Sequence, residues 1–444
     1  MIKNVSEKVL RKEIASIVKE EVIIEEKEVV KEEIRIPEEL KNGKIRIGTL
    51  KTKDGEEDLY YSMKEYEGMS PRIIMGSMGS GKAYYMKNMI KDAIYLGRPM
   101  FIIDVMRGSE LSESIKAVAG EDRVIEIDTT NEKQMQSFNF NELKIRDDVD
   151  SDTKLLDILH KAEMMVDLID SIGDINESLS VRIKGYIKAV AVLVFYNDYN
   201  ANLKDICEVL MNTEKRIELI NALSDSDKEL LFDELSILKK LNYCSDSDEK
   251  SNEVKLEPIL QRIYILRNNL YTMKAYRNNC SNDIDFVKAI NESKIVLIKI
   301  PEDKFNSNKM VSFMANFYLH KIGLAKNYCR DKKTELYFDD IGRFAKCHRT
   351  MIDLCVEHRM MNLMPVISLN SLNEYHSSYR TALLFIGASI IVLSEYDEKI
   401  LEKLYPALNN GYTKEDLKNI ERYNAMVMTR TSKGYMTYKV KLPN

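Results

Sequence analysis

The segment that most constrains the fold is Gly76–Ala83, which reads GSMGSGKA. It has the spacing G-x-x-x-x-G-K, with Ala83 where serine or threonine is usual. A short apolar run, Ile73–Met75, precedes it, and a helical pattern follows from Ser80 to about Leu96. Glycines in this spacing let backbone N–H groups turn toward phosphate oxygens, and the following helix adds its positive N-terminus. The segment therefore predicts a strand, a phosphate-binding loop and a helix in succession.

This predicted loop and the start of its helix supply the candidate nucleotide-binding residues. They are Gly76, Ser77, Met78, Gly79, Ser80, Gly81, Lys82, Ala83 and Tyr84. Lys82 is expected to reach the β- and γ-phosphates of ATP as a point charge. The competing interpretation is a flexible turn that happens to contain glycine and lysine. The strand and the helix around the motif favour the phosphate loop.

Two adjacent aspartates follow another predicted strand. Leu336–Phe338 is a short apolar run, and Asp339 and Asp340 come directly after it. A site that hydrolyses a nucleotide needs a carboxylate on a neighbouring strand to hold Mg²⁺. We expect Asp339 to hold Mg²⁺, directly or through a water, and Asp340 to orient and deprotonate the attacking water. Taken alone, such a pair is more often a turn or a helix cap, but the phosphate loop requires such a partner.

An amide and an arginine complete the candidate catalytic set. Asn370 follows the predicted strand Pro365–Leu369, where its side chain would sense the γ-phosphate or the catalytic water. An asparagine that caps a turn is an equally good interpretation of that position alone. Arg359 is a candidate to reach a neighbouring subunit's phosphate and stabilise charge in the transition state. Arg380 is a second candidate, for which a plain surface position is the favoured interpretation.

Short apolar runs alternate with helical patterns along much of the chain, which predicts parallel βαβ units. The further runs are Met100–Val105, Val124–Asp128, Ile295–Ile300 and Ser389–Leu393. Residues 44–63 predict a hairpin around Lys53, Asp54 and Gly55, because Asp-Gly is a strong turn signal. A long helix is predicted over about Asn308–Tyr328, and another over about Thr350–Asn362.

The pattern changes in the middle of the chain. An acidic loop is predicted at 145–155, followed by more than a hundred residues of helical pattern, with a polar linker at 244–254. We therefore divide the chain into four parts. These are a charged N-terminal helical arm (1–43), the first part of an α/β core (44–144), an all-α insertion (145–290) and the second part of the core (291–444).

Composition excludes some classes of protein. The chain has 66 Lys and Arg against 71 Asp and Glu, a net charge of −5, which excludes a chain-wide basic coat. Contact with nucleic acid would need a local basic surface such as a pore lining. Six cysteines without CxxC spacing fit a reduced cytosolic interior better than a disulfide scaffold. A zinc site at 347–358 is conceivable, but helix packing is the favoured interpretation because no second pair completes four ligands.

The N-terminal segment and the apolar windows bear on localisation. The first residues carry charges where a signal peptide needs an apolar core. The most apolar windows fall short of the roughly 18–20 residues that span a bilayer. We therefore predict a cytoplasmic protein without a transmembrane segment. The amphipathic pattern of residues 1–36 fits equally a helix packed on its own domain and an arm that docks on a partner or a neighbouring subunit.

The ordered set of motifs resembles the HerA/FtsK superfamily of ring-shaped DNA-pumping ATPases. Within it, the chain looks most like TraG-like conjugative coupling proteins and the related type IV secretion ATPases. The resemblance covers about residues 44–442. It is carried by GSMGSGKA (76–83), FIIDV (101–105), SFNFNEL (137–143), IVLIKIP (295–301), LYFDDIGRF (336–344), EHRMMNLMPVISLN (357–370) and FIGASIIVL (385–393).

The resemblance implies a RecA-like P-loop NTPase core with a mainly parallel sheet and a large all-α insertion domain. It implies a ring, a hexamer as in the family, that uses ATP and Mg²⁺ to move DNA through a central pore in conjugative or mobile-element transfer. Coupling proteins usually carry N-terminal transmembrane helices, and none is predicted in this sequence. The charged N-terminal helix would instead dock on a membrane or secretion-complex partner, which would place the protein at the inner face of the membrane.

Three departures from the family pattern bear on hydrolysis. Ala83 replaces a hydroxyl that usually ligates Mg²⁺, Asp340 replaces a glutamate, and Asn370 replaces a glutamine. A nucleotide-binding scaffold with weak or no hydrolysis is therefore the rival prediction. A protein-secretion ATPase and a viral DNA-packaging ATPase are further alternatives that use similar parts.

Overall fold

The computed structural model describes most of the chain beyond the N-terminal arm. The described residues are 34, 36–53, 55–62, 70–105, 110–143, 150–173, 178–242, 249–278, 282–305, 307–375, 377–395 and 397–443. Residues 1–33 of the predicted N-terminal helix lie outside them. So do 145–149 of the predicted acidic loop and 244–248 of the predicted linker.

The described residues contain one mixed sheet of eleven strands. The strands are β1 Arg46–Thr52, β2 Gly55–Tyr60, β3 Arg72–Met75, β4 Met100–Asp104, β5 Val124–Asp128, β6 Ile295–Lys299, β7 Thr334–Phe338, β8 Leu363–Leu369, β9 Ser389–Val392, β10 Asn424–Thr431 and β11 Gly434–Lys441. Their order across the sheet is β2-β1-β11-β10-β9-β3-β8-β7-β4-β6-β5. The seven strands from β9 to β5 pair in parallel, and the pairings from β2 to β9 are antiparallel.

Helices cover both the connections of this sheet and a separate helical region. They are α1 Lys82–Ile94, α2 Glu110–Ala119, α3 Ser151–Ser171, α4 Val181–Asn197, α5 Leu203–Met211, α6 Thr213–Ala222, α7 Asp225–Leu230, α8 Phe232–Asn242, α9 Glu249–Arg267, α10 Leu270–Arg277, α11 Phe286–Asn291, α12 Asn308–Tyr328, α13 His348–Val356, α14 His358–Met361, α15 Ser377–Phe385, α16 Glu398–Leu404 and α17 Lys414–Lys418. The predicted α/β class with a mainly parallel sheet and a helical insertion is confirmed. Helices α3 to α11 lie between β5 and β6, where the insertion is predicted.

The parallel strands were predictable because they are covered on both faces. Every residue of β4 and of β8 is buried, and such strands read as continuous apolar runs. The predicted hairpin is also confirmed, since β1 and β2 pair antiparallel with Thr52 opposite Gly55. Asp54 of its predicted turn lies outside the described residues.

Several predicted boundaries are wrong. Helix α3 begins at Ser151 because Asp150 caps it by accepting a hydrogen bond from the Thr153 backbone N–H, so part of the predicted acidic loop is helical. Helix α9 begins at Glu249, inside the predicted linker. The single helix predicted to end at Asn362 is two helices, α13 and α14.

The antiparallel hairpin of β10 and β11 was not predicted. It continues the sheet beyond β9, with Met426 opposite Val392. Within the described residues, no helix is long and apolar enough to cross a membrane.

Candidate nucleotide-binding site

The predicted phosphate loop lies at the carboxyl end of the central strand β3, between β8 and β9. Its backbone turns through left-handed conformations at Gly79 (φ +80°) and Gly81 (φ +100°). Residues with a Cβ rarely adopt these angles, so the two glycines allow this course. Helix α1 begins directly after Gly81, and its free N–H groups lie at the loop.

Lys82 is buried at the centre of the site. Its Nζ donates to the carbonyl oxygen of Gly76 at 2.7 Å and to Asn370 Oδ1 at 2.8 Å, with a longer bond to the carbonyl oxygen of Ser77 at 3.3 Å. Burial lowers the pKa of Lys82, and the nearby negative charges of Asp340 and Asp339 oppose that shift. An ammonium group held by loop carbonyls in this way has donors that phosphate oxygens can engage.

The two aspartates lie next to the loop because β7 is separated from β3 only by β8. The backbone N–H of Asp340 donates to Ser368 Oγ at 2.8 Å, and that hydroxyl donates in turn to Asp339 Oδ1. Burial raises the pKa of Asp339. Asp340 has a left-handed backbone (φ +54°), which turns the chain sharply at the end of the strand. Ser368 therefore links β8 to the carboxylate pair of β7.

The Asp340 carboxylate is held on both sides. Its Oδ1 accepts a hydrogen bond from Asn370 Nδ2 at 3.2 Å, and its Oδ2 pairs with Arg343 Nη1 at 3.2 Å. The other terminal nitrogen of Arg343 pairs with Glu302, in the turn after β6. Sequence reasoning missed both Arg343 and Glu302, although Arg343 stands only three residues after Asp340.

Asn370 connects the lysine, the aspartate and a further carboxylate. Besides its bonds to Lys82 and Asp340, its Nδ2 donates to Glu374 Oε1 at 2.8 Å and its backbone N–H to Glu374 Oε2 at 2.9 Å. Sequence reasoning did not identify Glu374. The only sequence signal for this residue is a carboxylate four positions after the predicted amide, and in the structure it ends a short turn of 3-10 helix.

The remaining loop residues form its outer surface. Ser77 contacts Ser394, with 2.8 Å from Ser394 Oγ both to the Ser77 backbone nitrogen and to its Oγ. Met78, Ala83 and Tyr84 are exposed beside them. Within the described residues, Ser80 Oγ is buried and has no hydrogen-bond partner.

The two candidate arginines occupy different places relative to the candidate site. Arg359 is exposed on α14, at the start of β8, whereas the site lies at the end of that strand, about 20 Å away. Arg380 donates to the carbonyl oxygen of Tyr375 and to Asn373 Oδ1, each at 2.7 Å. Arg380 thus holds the turn after Asn370, and Arg359 lies too far from the phosphate loop of its own chain to contact it.

The cysteine and histidine residues of the conceivable zinc site have internal partners. Cys347 Sγ donates to the carbonyl oxygen of Ser312, and His358 Nδ1 pairs with the carbonyl oxygen of Cys355 at 2.6 Å. Within the described ranges, no group of three or more His, Cys, Asp or Glu side chains is placed to hold a metal ion. Mg²⁺ that arrives with a nucleotide needs only one or two carboxylates beside the phosphates. The buried carboxylate of Asp339 fits that requirement.

The fold and the site together define a class. The phosphate loop follows the central strand β3, the amide of Asn370 follows the adjacent strand β8, and the carboxylate pair follows the next strand, β7. This is the arrangement of a P-loop nucleotide-binding α/β core. Solved structures with this fold include conjugative coupling proteins, so the predicted resemblance is confirmed as a likeness of fold.

Three of these structures illustrate the match. The unbound bacterial conjugative coupling protein TrwBdeltaN70 matches with a TM-score of 0.55 and 11% identity, over 84% of this chain and 85% of that one. The plasmid coupling protein TrwB in complex with ADP and Mg²⁺ matches with a TM-score of 0.55 and 14% identity, over the same shares. VirB4 of Thermoanaerobacter pseudethanolicus matches with a TM-score of 0.58 and 14% identity, over 91% of this chain and 97% of that one. No family model and no curated protein matches the sequence.

Proposed function

We propose that this protein is an ATPase that works as a ring-shaped motor and moves DNA in conjugative or mobile-element transfer. The observation that carries the ATPase part is the meeting of Lys82, Asn370 and Asp340 at the end of three parallel strands. A relative in fold, TrwB, has been solved with ADP and Mg²⁺, which supports the same ligands here.

Each residue of the site has a role in this proposal. Phosphate oxygens replace the loop carbonyls as partners of Lys82, and the loop N–H groups and the start of α1 surround them. Asp339 holds Mg²⁺, which supplies charge to the phosphates when bound. Asp340 accepts a proton from the attacking water, and Asn370 contacts the γ-phosphate or that water. These contacts align the water and neutralise the developing charge.

Ala83 modifies the metal side of this scheme. It lies exposed in the first turn of α1, where the family pattern places a hydroxyl. Without that ligand, Mg²⁺ depends on Asp339, on the phosphates and on water, so we expect weaker metal affinity. The exposed position leaves room for a larger side chain.

The proposed assembly and cargo rest on the family resemblance and on the position of Arg359. Arg359 is exposed and distant from its own site, as an arginine that acts on a neighbouring subunit has to be. We propose a homo-oligomeric ring, a hexamer, with DNA in its central pore and the N-terminal segment docked on a membrane or secretion-complex partner. The cytoplasmic side of the inner membrane is the proposed location.

A nucleotide-binding scaffold is the second candidate function. It is favoured by Asp340, whose two carboxylate oxygens already have partners, and by the missing hydroxyl at Ala83. A carboxylate whose two oxygens are held by other side chains is less free to contact the attacking water. In that case ATP binding controls assembly and little phosphate is released.

ATP turnover with and without DNA separates these candidates. We expect single- or double-stranded DNA to raise phosphate release by the purified chain, and Lys82→Ala to abolish it. Lys91→Ala, on the same helix, serves as the matched control and leaves turnover unchanged. No turnover by the natural chain but clear turnover by Ala83→Thr would favour the scaffold. Turnover that is indifferent to DNA would favour a protein-secretion ATPase.

A further inference from the structure

The Glu374 carboxylate fixes the orientation of the Asn370 side chain. One oxygen accepts a hydrogen bond from the Asn370 backbone N–H at 2.9 Å, and the other from Nδ2 at 2.8 Å. The two bonds hold the residue at its backbone and at the end of its side chain. Of the two residues in these contacts, only Asn370 was predicted from the sequence to be catalytic.

The charges around Asn370 leave one favourable orientation for its amide. Nδ2 faces two carboxylates, Glu374 and Asp340, and Oδ1 faces the Lys82 ammonium. Turning the amide over would place its oxygen against the carboxylates and its N–H groups against the ammonium. An amide oxygen only accepts and an amide nitrogen only donates, so every one of these bonds would be lost. The carboxylates therefore direct Oδ1 toward the lysine.

Gly342 packs closely against the Glu374 side chain. This glycine lies in the turn after Asp340, and its Cα packs directly on the Glu374 side chain. A Cβ at this position would overlap the Glu374 carboxyl group. Gly342 does not have a positive φ, so alanine would be compatible with the backbone there. The turn that follows Asp340 thus shapes the place that Glu374 occupies.

We propose that Glu374 is a positioning residue for ATP hydrolysis, acting through the amide of Asn370. This inference rests on the proposed ATPase function. Before nucleotide binds, the oriented Oδ1 holds Lys82. When phosphate oxygens take over the ammonium, the same oxygen is released in a fixed direction, where it accepts a hydrogen bond from the attacking water beside Asp340. Glu374 itself touches neither nucleotide nor water.

Glu374→Gln should separate binding from turnover. Glutamine offers one acceptor in place of two, so one N–H of Asn370 loses its partner and the amide is free to turn. We expect kcat to fall about tenfold or more, because small misplacements of a water-positioning group are costly. The variant also removes a negative charge that acts on Lys82, so ADP with Mg²⁺ should bind more tightly, by about threefold.

Gly342→Ala and a double variant complete the test. Gly342→Ala leaves every charge in place but displaces Glu374, so it should lower kcat to a similar degree. In an Asn370→Ala background, Glu374→Gln should cause no further loss of kcat, because both act on the same group. Glu218→Gln, on an exposed helix of the insertion, controls for the charge change and should leave kcat and affinity unchanged.

Two results would overturn the proposal. The first is an additive loss of kcat in the double variant, which would mean that Glu374 acts directly. The second is an affinity for ADP with Mg²⁺ that is unchanged or weaker in Glu374→Gln, measured by calorimetry on variants with unchanged melting temperature. The affinity test holds even when the natural chain shows no turnover, an outcome that would refute the ATPase proposal separately.

Discussion

Lys321→Met is expected to lower the free energy of unfolding by about 3–5 kcal/mol, because it leaves the Glu142 carboxylate buried without its cation. Neither side chain has exposed area, and Lys321 Nζ lies 2.9 Å from Glu142 Oε1. Nζ also donates to the carbonyl oxygen of Asn139 at 3.2 Å and to Asn141 Oδ1 at 2.6 Å. Methionine is close in length to the lysine stem, so the loss is mainly electrostatic. The pair joins helix α12 to the segment that leads from β5 into the helical insertion.

An exposed ion pair provides the matched control. Lys188 Nζ lies 2.7 Å from Glu163 Oε1, but the two side chains are 35% and 62% exposed. Lys188→Met should therefore cost less than about 1 kcal/mol. The double variant Lys321→Met with Glu142→Leu should recover most of the loss, since apolar replacement of a buried ion pair is often neutral or stabilising.

Urea unfolding followed by far-ultraviolet circular dichroism measures these differences. The reasoning is wrong if Lys321→Met destabilises the protein no more than Lys188→Met does. It is also wrong if the double variant loses the sum of the two single losses. That result would mean that packing around α12 determines the stability of this region and that the charges do not.

The remaining predictions concern the site and its surroundings. Arg343→Met removes a partner of the Asp340 carboxylate, so we expect kcat to fall about tenfold, as measured by phosphate release. It also removes a positive charge beside the site, so ADP should bind about threefold more weakly in calorimetry. Gly76→Ala brings a Cβ against Ser80 Oγ and should abolish ADP binding in calorimetry while the circular dichroism spectrum stays native. Burial lowers the pKa of His348 from 6.5 to about 4, so only the unfolded chain binds the proton between these values. Stability should therefore fall as the pH drops through that window, by about 3 kcal/mol at most, and His348→Phe should flatten this dependence in urea titrations at pH 7 and pH 4.5.

The part of the site that sequence predicted lies at the ends of buried parallel strands. Strands β3, β7 and β8 are buried on both faces and mostly apolar, so each appears as a run whose end is easy to locate. The polar residue directly after such a run must lie at the carboxyl edge of the sheet. This reasoning placed Asp339, Asp340 and Asn370 at that edge, and the phosphate-loop spacing placed Lys82 there. The structure brings the four residues together.

The part that sequence missed lies in short turns and in antiparallel pairing. Arg343 and Glu374 belong to single turns of 3-10 helix, where no repeating pattern tells which way a side chain points. Strands β10 and β11 form a hairpin near the end of the sequence that joins the sheet beside β9. Their turn at Ser432 and Lys433 lacks an Asn-Gly or Asp-Gly signal. Lys321 belongs to a helix whose pattern indicates only that it is amphipathic. Its ion pair depends on a segment about 180 residues away.

The missed residues change how the departures from the family pattern should be interpreted. Asp340 and Asn370 are each one methylene shorter than the glutamate and glutamine usual in the family that the sequence resembles. In this protein two long side chains from the following turns, Arg343 and Glu374, bind those shorter groups directly. These partners come from the turns that follow the two strands, and they fix the direction of each shortened side chain, so its length alone does not show a lost function. The occupied Asp340 carboxylate still leaves the scaffold as the rival, and turnover by the natural chain compared with Ala83→Thr decides between them.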